Sequence, residues 1–173
     1  MFERGNVIRN QPRLAFVGKW RVEHWRKDRL LKVYEFYNDI CNVGKNDIFN
    51  VYFHSGTQTS TANWFIGLIS NTGYSGLAVT DTMASHSGWT ELTGYTQGTR
   101  VSWGPAAASG QSITNVTPNQ FDINATATCK GVFVVNDGTK GGSTGTLWAT
   151  ALFSADVPVN NGDQLKTTYT LSA

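Results

Sequence analysis

The sequence predicts an all-β domain, a β-sandwich of jelly-roll or immunoglobulin-like type with an N-terminal β-hairpin or arm and one short α-helix. Three observations carry that expectation. Only 15% of the 173 residues are charged while 40% are hydrophobic, and Thr, Ser, Asn and 18 Gly make up much of the remainder, a composition of strands joined by turns rather than of a helical bundle. Apolar and polar residues alternate with period two in several stretches separated by short turn signals. There is no strand–helix–strand rhythm and no repeat of roughly 20–50 residues, which argues against a parallel α/β sheet and against a solenoid. A chain of this length is expected to form one domain over residues 1–173, with 1–43 as an arm and hairpin packed on it or on a neighbouring subunit.

Taken in order, LAFVGKWRVEHWR (14–26) alternates loosely and reads as a strand, KDR (27–29) as a turn, and LLKVYEFYNDIC (30–41) as the returning strand. In that second strand Leu31, Val33, Glu35 and Tyr37 fall on one face and Lys32, Tyr34, Phe36 and Asn38 on the other, so neither face is cleanly apolar. In GKNDIFNVYFHSG (44–56), Ile48, Phe49, Tyr52 and Phe53 recur at helical spacing, with Asn46 or Asp47 near the start and Gly56 as a stop. WFIGLIS (64–70) is continuously apolar and expected at the centre of a sheet. The small-residue stretch 94–119 is either a pair of short strands or a long surface excursion, and 120–137 reads as a strand ending in a fully buried run, Val132 to Val135. TLWATALF (146–153) is a further strand, and NNGD (160–163) turns the chain into QLKTTYTLSA, where Leu165, Thr167, Tyr169 and Leu171 alternate with polar neighbours. The count is roughly seven to nine strands.

Candidate chemistry is sparse. His24, His54 and His86 form no HExxH or HxH string, Cys41 and Cys129 have no zinc-site spacing and read as buried free thiols, and GTKGGSTG (138–145) places Lys140 before its glycines and a strand, not a helix, after them. The sequons at Asn115 and Asn124 matter only in a secretory route, and MFERGNVIRN does not resemble a signal peptide, so synthesis in a reducing cytoplasm is expected. DTMASHSGWTE (81–91) groups an acid, a histidine and hydroxyls, but it is expected to be structural: Asp81 capping one helical turn, Gly88 ending it in a left-handed conformation, and Trp89 entering the core. No catalytic residue, metal or cofactor is expected.

Charge is uneven: residues 1–50 hold ten Lys/Arg against six Asp/Glu, and residues 51–173 hold four against six. The net charge of +2 is too small to indicate direct nucleic-acid readout, and no apolar run suggests a membrane span. An aromatic ribbon with interspersed arginines has the composition of interface hot spots. The candidate interface is therefore Arg9, Arg13, Trp20, Arg21, Trp25, Arg26, Arg29, Tyr34 and Phe36.

WFIGLIS, DTMASHSGWTE, ATCKGVFVVND (127–137) followed by TKGGSTGTLWATALF (139–153), and NNGDQLKTTYTLSA (160–173) occur in an order that resembles small virion structural proteins of tailed bacteriophages and prophages. The resemblance spans roughly residues 17–173. It implies a non-enzymatic virion protein, foremost a capsid cement or decoration protein whose arm and hairpin, Arg4 to Tyr37, grip the major capsid protein or another copy of the chain in a dimer or trimer. The alternative it implies is a tail, baseplate or fibre-attachment protein with a receptor- or glycan-binding role, which would place Trp89 and Trp103 in exposed loops.

Overall fold

The computed structural model describes residues 15–173. Ten strands build one curled, antiparallel sheet that folds over on itself as an all-β sandwich. One layer contains β1 (Val17–Arg26), most of β2 (Arg29–Ile40), β6 (Ser112–Thr114), β7 (Asn119–Asp122) and β10 (Asp163–Ser172). The other contains β3 (Phe65–Ser70), β4 (Glu91–Leu92), β5 (Val101–Ser102), β8 (Ala127–Val135) and β9 (Leu147–Val159). The layers are joined through β2, whose last residues Asp39 and Ile40 pair with Thr150 and Ala149 of β9.

The N-terminal hairpin is built into this sandwich. Alternation sends Trp20, Val22 and His24 of β1 inward with Tyr34 and Phe36 of β2, while Lys19, Arg21 and Glu35 face water. The β1–β2 turn is two residues long, Lys27 and Asp28, both with positive φ (47° and 58°), the primed geometry that matches strand twist. Along its whole length β1 also pairs with β10, from Val17↔Ser172 to Arg26↔Asp163. The NNGD turn starts β10 as the sequence suggests, with Gly162 at φ +87° and Asp163 N–H donating to Asn160 O at 3.0 Å.

Several sequence expectations are corrected. The helix, α1 (Asn42–Phe53), starts well before Asn46 and Asp47, which lie inside it, and its left-handed terminator is Ser55 (φ +56°) rather than Gly56. Gly44 sets its position: a Cβ there would fall 2.7 Å from the Trp148 carbonyl oxygen, so only glycine lets α1 lie against β9. β3 is flanked by β8 on one side and the short β4 and β5 on the other, one place in from the edge rather than central. The stretch 120–137 is two strands: β7 pairs with β10 in one layer, the chain crosses over at exposed Asn124–Thr126, and β8 pairs with β3 and β9 in the other.

Both faces of the β3–β8–β9 layer are covered. The inner face packs on Trp20, Val22, Phe36, Phe121, Leu165 and Tyr169, and the outer face, through Ile69, Phe133 and Val135, packs on Met83 and Trp89 from the loop after β3. That double burial explains the continuous apolar runs in β3 and β8. DTMASHSGWTE is the cover, but it contains no helical turn. Thr82 and Ser85 exchange backbone hydrogen bonds in a tight turn, and Asp81 accepts from Ala78 N–H and from Trp89 Nε1–H, both at 3.0 Å. His86 stacks on Trp89 with ring centroids 3.9 Å apart. Gly88 has no positive φ; it is glycine because a Cβ would fall 2.2 Å from the Gly76 carbonyl oxygen. Asp81→Ala removes the acceptor of a buried indole N–H, and a loss of about 1–3 kcal/mol in urea unfolding is expected; an unchanged midpoint would refute this role.

Candidate binding surface

The predicted interface residues divide between core and surface. Trp20 is only 1% exposed and stacks on Tyr169 with centroids 4.4 Å apart. Tyr34 and Phe36 pack on Phe153 at 5.3 and 5.0 Å. These three side chains are the inward positions of the hairpin, so they hold the sandwich together and are not available to a partner. On the outer face, Arg21 pairs with Glu23 (2.9 Å) and Glu35 (3.5 Å), and Trp25 donates to Glu23 (2.9 Å) beneath the Lys166 ammonium group. Arg26 is held by Asp163, while Arg29 is exposed at the turn. Arg9 and Arg13 lie outside the described residues. The outer face of the hairpin is thus mixed, with these charge pairs beside exposed Tyr37 and Leu30.

Among the described residues the largest group of exposed aromatic side chains is on α1. Gly44 faces β9 and Ile48 and Val51 are half-buried, whereas Phe49 and Phe53 on the opposite side are 61% and 74% exposed and Tyr52, on the flank, is 79% exposed. An aromatic side chain carries about 150–250 Å² of surface, so these three leave roughly 400 Å² of largely apolar area in water, the size of the largest apolar patch on a typical monomer. Two clefts flank the helix. One, of about 250 Å³, lies between α1 and the end of the sandwich, with Trp64, Trp103, Trp148, Tyr52 and Asp47 in its walls. The other, of about 490 Å³, is bordered by Phe49 and Phe53 with Ile40 and, from the start of the described chain, Ala15 and Phe16. The helical spacing of residues 48–53 was legible in the sequence, but which aromatics face water was not. An outward Phe49 and an inward Ile48 are equally apolar in the sequence.

Elsewhere, several polar side chains singled out from the sequence have intramolecular partners, while His54 and Asn124 are exposed. His24 Nε2 lies 2.8 Å from the Asp163 carboxylate, and His86 Nδ1 lies 3.0 Å from the Trp89 carbonyl oxygen. Lys140 donates to the carbonyls of Tyr95 (2.9 Å) and Gln97 (2.6 Å), so the glycine-rich run is an anchored connection between β8 and β9. Asn115 is buried, accepting from Trp103 Nε1–H (3.0 Å) and Tyr169 N–H (2.7 Å), which removes the first sequon from the surface of the folded protein. Cys41 and Cys129 are buried free thiols; burial pushes their pKa values up to about 11 and about 12, holding both in the unreactive protonated form. Trp89 and Trp103 are both buried, so neither stands in an exposed loop.

Two structural ion clusters were not anticipated. Asp163, 1% exposed, accepts from Arg26 Nε (2.6 Å) and Nη2 (2.8 Å) and from Asn160 N–H (2.8 Å). The Arg26 guanidinium, assisted by the Asn160 N–H and His24, holds its carboxyl far below the usual carboxylate range against the opposing effect of burial. Arg100 and Glu91 form a second, fully enclosed pair at 2.9 Å. Both clusters join segments distant in sequence, a relation that local periodicity does not encode.

Among the described residues no group of three His, Cys, Asp or Glu side chains is placed to hold a metal ion, and no helix is long and apolar enough to cross a membrane. No family model matches the sequence, and no curated protein matches it. Among the described residues, exposed aromatic side chains and two clefts come together at α1.

Proposed function

We propose that the protein is a non-enzymatic structural component of a tailed-bacteriophage virion, a capsid cement or decoration protein made in the host cytoplasm and carried on the capsid surface. In this reading it bridges major capsid protein subunits, and copies of itself, through the α1 end of the sandwich. The observation that carries the docking surface is the exposure of Phe49, Tyr52 and Phe53 on a helix whose other side is fixed to β9. The virion assignment is supported by the motif resemblance of the sequence. A typical stable interface covers about 800 Å² on each partner, with aromatic anchors at its centre; the α1 aromatics supply such a centre. A protein that touches two or three shell subunits gains through effective concentration, so modest individual contacts add up to firm attachment.

A tail, baseplate or fibre-attachment role is the second reading. It is favoured by the cleft at Trp64 and Tyr52, whose aromatic surfaces suit a receptor glycan. Copy number separates the two. Quantitative mass spectrometry of purified particles is expected to find many copies per particle, comparable with the major capsid protein; a handful per particle would overturn cement and favour the tail.

A further inference from the structure

The cleft between α1 and the sandwich end combines two features that a purely apolar groove lacks. Its walls bring together four aromatic side chains from separate segments: Tyr52 on α1, Trp64 just before β3, Trp103 just after β5 and Trp148 on β9. Trp64 and Trp148 meet edge to face with centroids 6.1 Å apart. Trp103 and Trp148 are held by indole N–H bonds, the former to Asn115 Oδ1 (3.0 Å) and the latter to Tyr169 Oη (3.1 Å). Those two rings are therefore fixed before any ligand arrives. Asp47 lines the same cleft, and its carboxylate has no hydrogen-bond or ion-pair partner among the described residues; burial raises its pKa. The nearest basic residue on the helix, Lys45, borders the other cleft.

We propose that this cleft binds an organic cation, a guanidinium or alkylammonium group carried on an apolar stem, with the aromatic walls around the stem and head and Asp47 as counter-ion. The negative faces of aromatic rings attract such cations, Trp most strongly, and the attraction grows as water is excluded. A carboxylate in apolar surroundings is stabilised by an opposite charge at close range. At about 250 Å³ the cleft is smaller than the usual pocket for a drug-sized ligand and matches a single side chain or a small ammonium ion. The inference deepens the proposed function by naming the chemistry that a partner would present there. Only the partner's identity rests on that reading, because cation binding is measured on the isolated full-length protein.

The test is titration of the 15N-labelled protein with N-acetylarginine amide, with choline, and with 3,3-dimethylbutanol, the neutral analogue of choline's shape, following the Trp64 indole N–H resonance identified from Trp64→Phe. Cations are expected to shift that resonance and to bind about tenfold more tightly than the neutral alcohol. Asp47→Asn is expected to remove this preference while leaving the alcohol's weak binding and the melting temperature unchanged. Tighter binding of the arginine derivative than of choline would identify a protein side chain as the source, and the reverse order a free ammonium compound. Equal binding of cations and alcohol, insensitivity to Asp47→Asn, or no shift with any of the three would overturn the proposal. Cation binding in a protein present at only a few copies per particle would leave this site standing and the cement reading refuted.

Discussion

Arg100→Met is expected to destabilise the protein by about 3–5 kcal/mol, the cost of leaving a buried charge without its partner. The Arg100 side chain is fully enclosed and the Glu91 side chain is 6% exposed. The guanidinium donates to Glu91 at 2.9 and 3.2 Å, to the Asp137 carbonyl at 2.9 Å and to the Gly142 carbonyl at 2.7 Å, and lies over the Phe133 ring at 5.2 Å. It therefore fastens the loop between β8 and β9 to the segment between β4 and β5. Methionine fills much of the volume but leaves two carbonyls without their donor and the Glu91 carboxylate with only Gly141 N–H (2.8 Å) and the Tyr95 hydroxyl (3.5 Å) as neutral donors. For a chain of this size the loss corresponds to a fall in melting temperature of roughly 10 °C. The double variant Arg100→Met, Glu91→Leu is expected to recover part of the loss, because removing both charges also removes the desolvation cost. A single variant that melts within a degree or two of the wild type would show that the pair is not structural.

Asp163→Ala is expected to cost about 3 kcal/mol near neutral pH, since it strips a partner from buried His24 and from Asn160 N–H as well as from Arg26. The cost has a distinctive pH dependence. Because the folded-state carboxyl titrates below its unfolded value, the unfolded chain binds more protons as pH falls through the ordinary carboxylate range. The stability contributed by Asp163 is thus complete above about pH 5 and is lost progressively below about pH 4. Urea unfolding of wild type and variant should show a gap in free energy that is constant from neutral to mildly acidic pH and narrows in acid. A gap independent of pH down to strong acid would mean that Asp163 acts through shape rather than charge.

The elements that were legible in the sequence are those long enough to show a period. β1, β2, β8, β9 and β10 each have nine or more residues, so alternation or an unbroken apolar run can declare itself, and α1 offers four apolar positions at helical spacing. The strands β4 to β7 have two to four residues each and cannot. The crossing between β7 and β8 was hidden because Ile123 is as buried as Phe121, so the apolar pattern continues although the chain has changed layer. The aromatic hairpin was identified correctly as a ribbon, but its aromatics were assigned to a partner. The second layer of the sandwich covers Trp20, Tyr34 and Phe36 instead, while Trp25 stays on the outer face, and only the tertiary fold reveals that. Conversely, the spacing of Phe49, Tyr52 and Phe53 in the sequence indicates a helix but not which side of it meets water. Asp81 was placed in a structural role, which the Trp89 contact supports by a bond across eight residues rather than by a helix cap.

Docking of the α1 face onto the shell underlies the proposed function. It is tested most directly by incorporation of Tyr52→Ser, Phe53→Ser into particles, measured as the ratio of this protein to major capsid protein in purified virions alongside the purified variant's melting temperature. Both side chains are mostly exposed and contribute little to the core, so melting is expected to change by no more than a few degrees while incorporation falls at least tenfold, the effect of losing roughly 1.4 kcal/mol or more of binding. Wild-type incorporation by a variant that remains folded would show that the shell is gripped elsewhere.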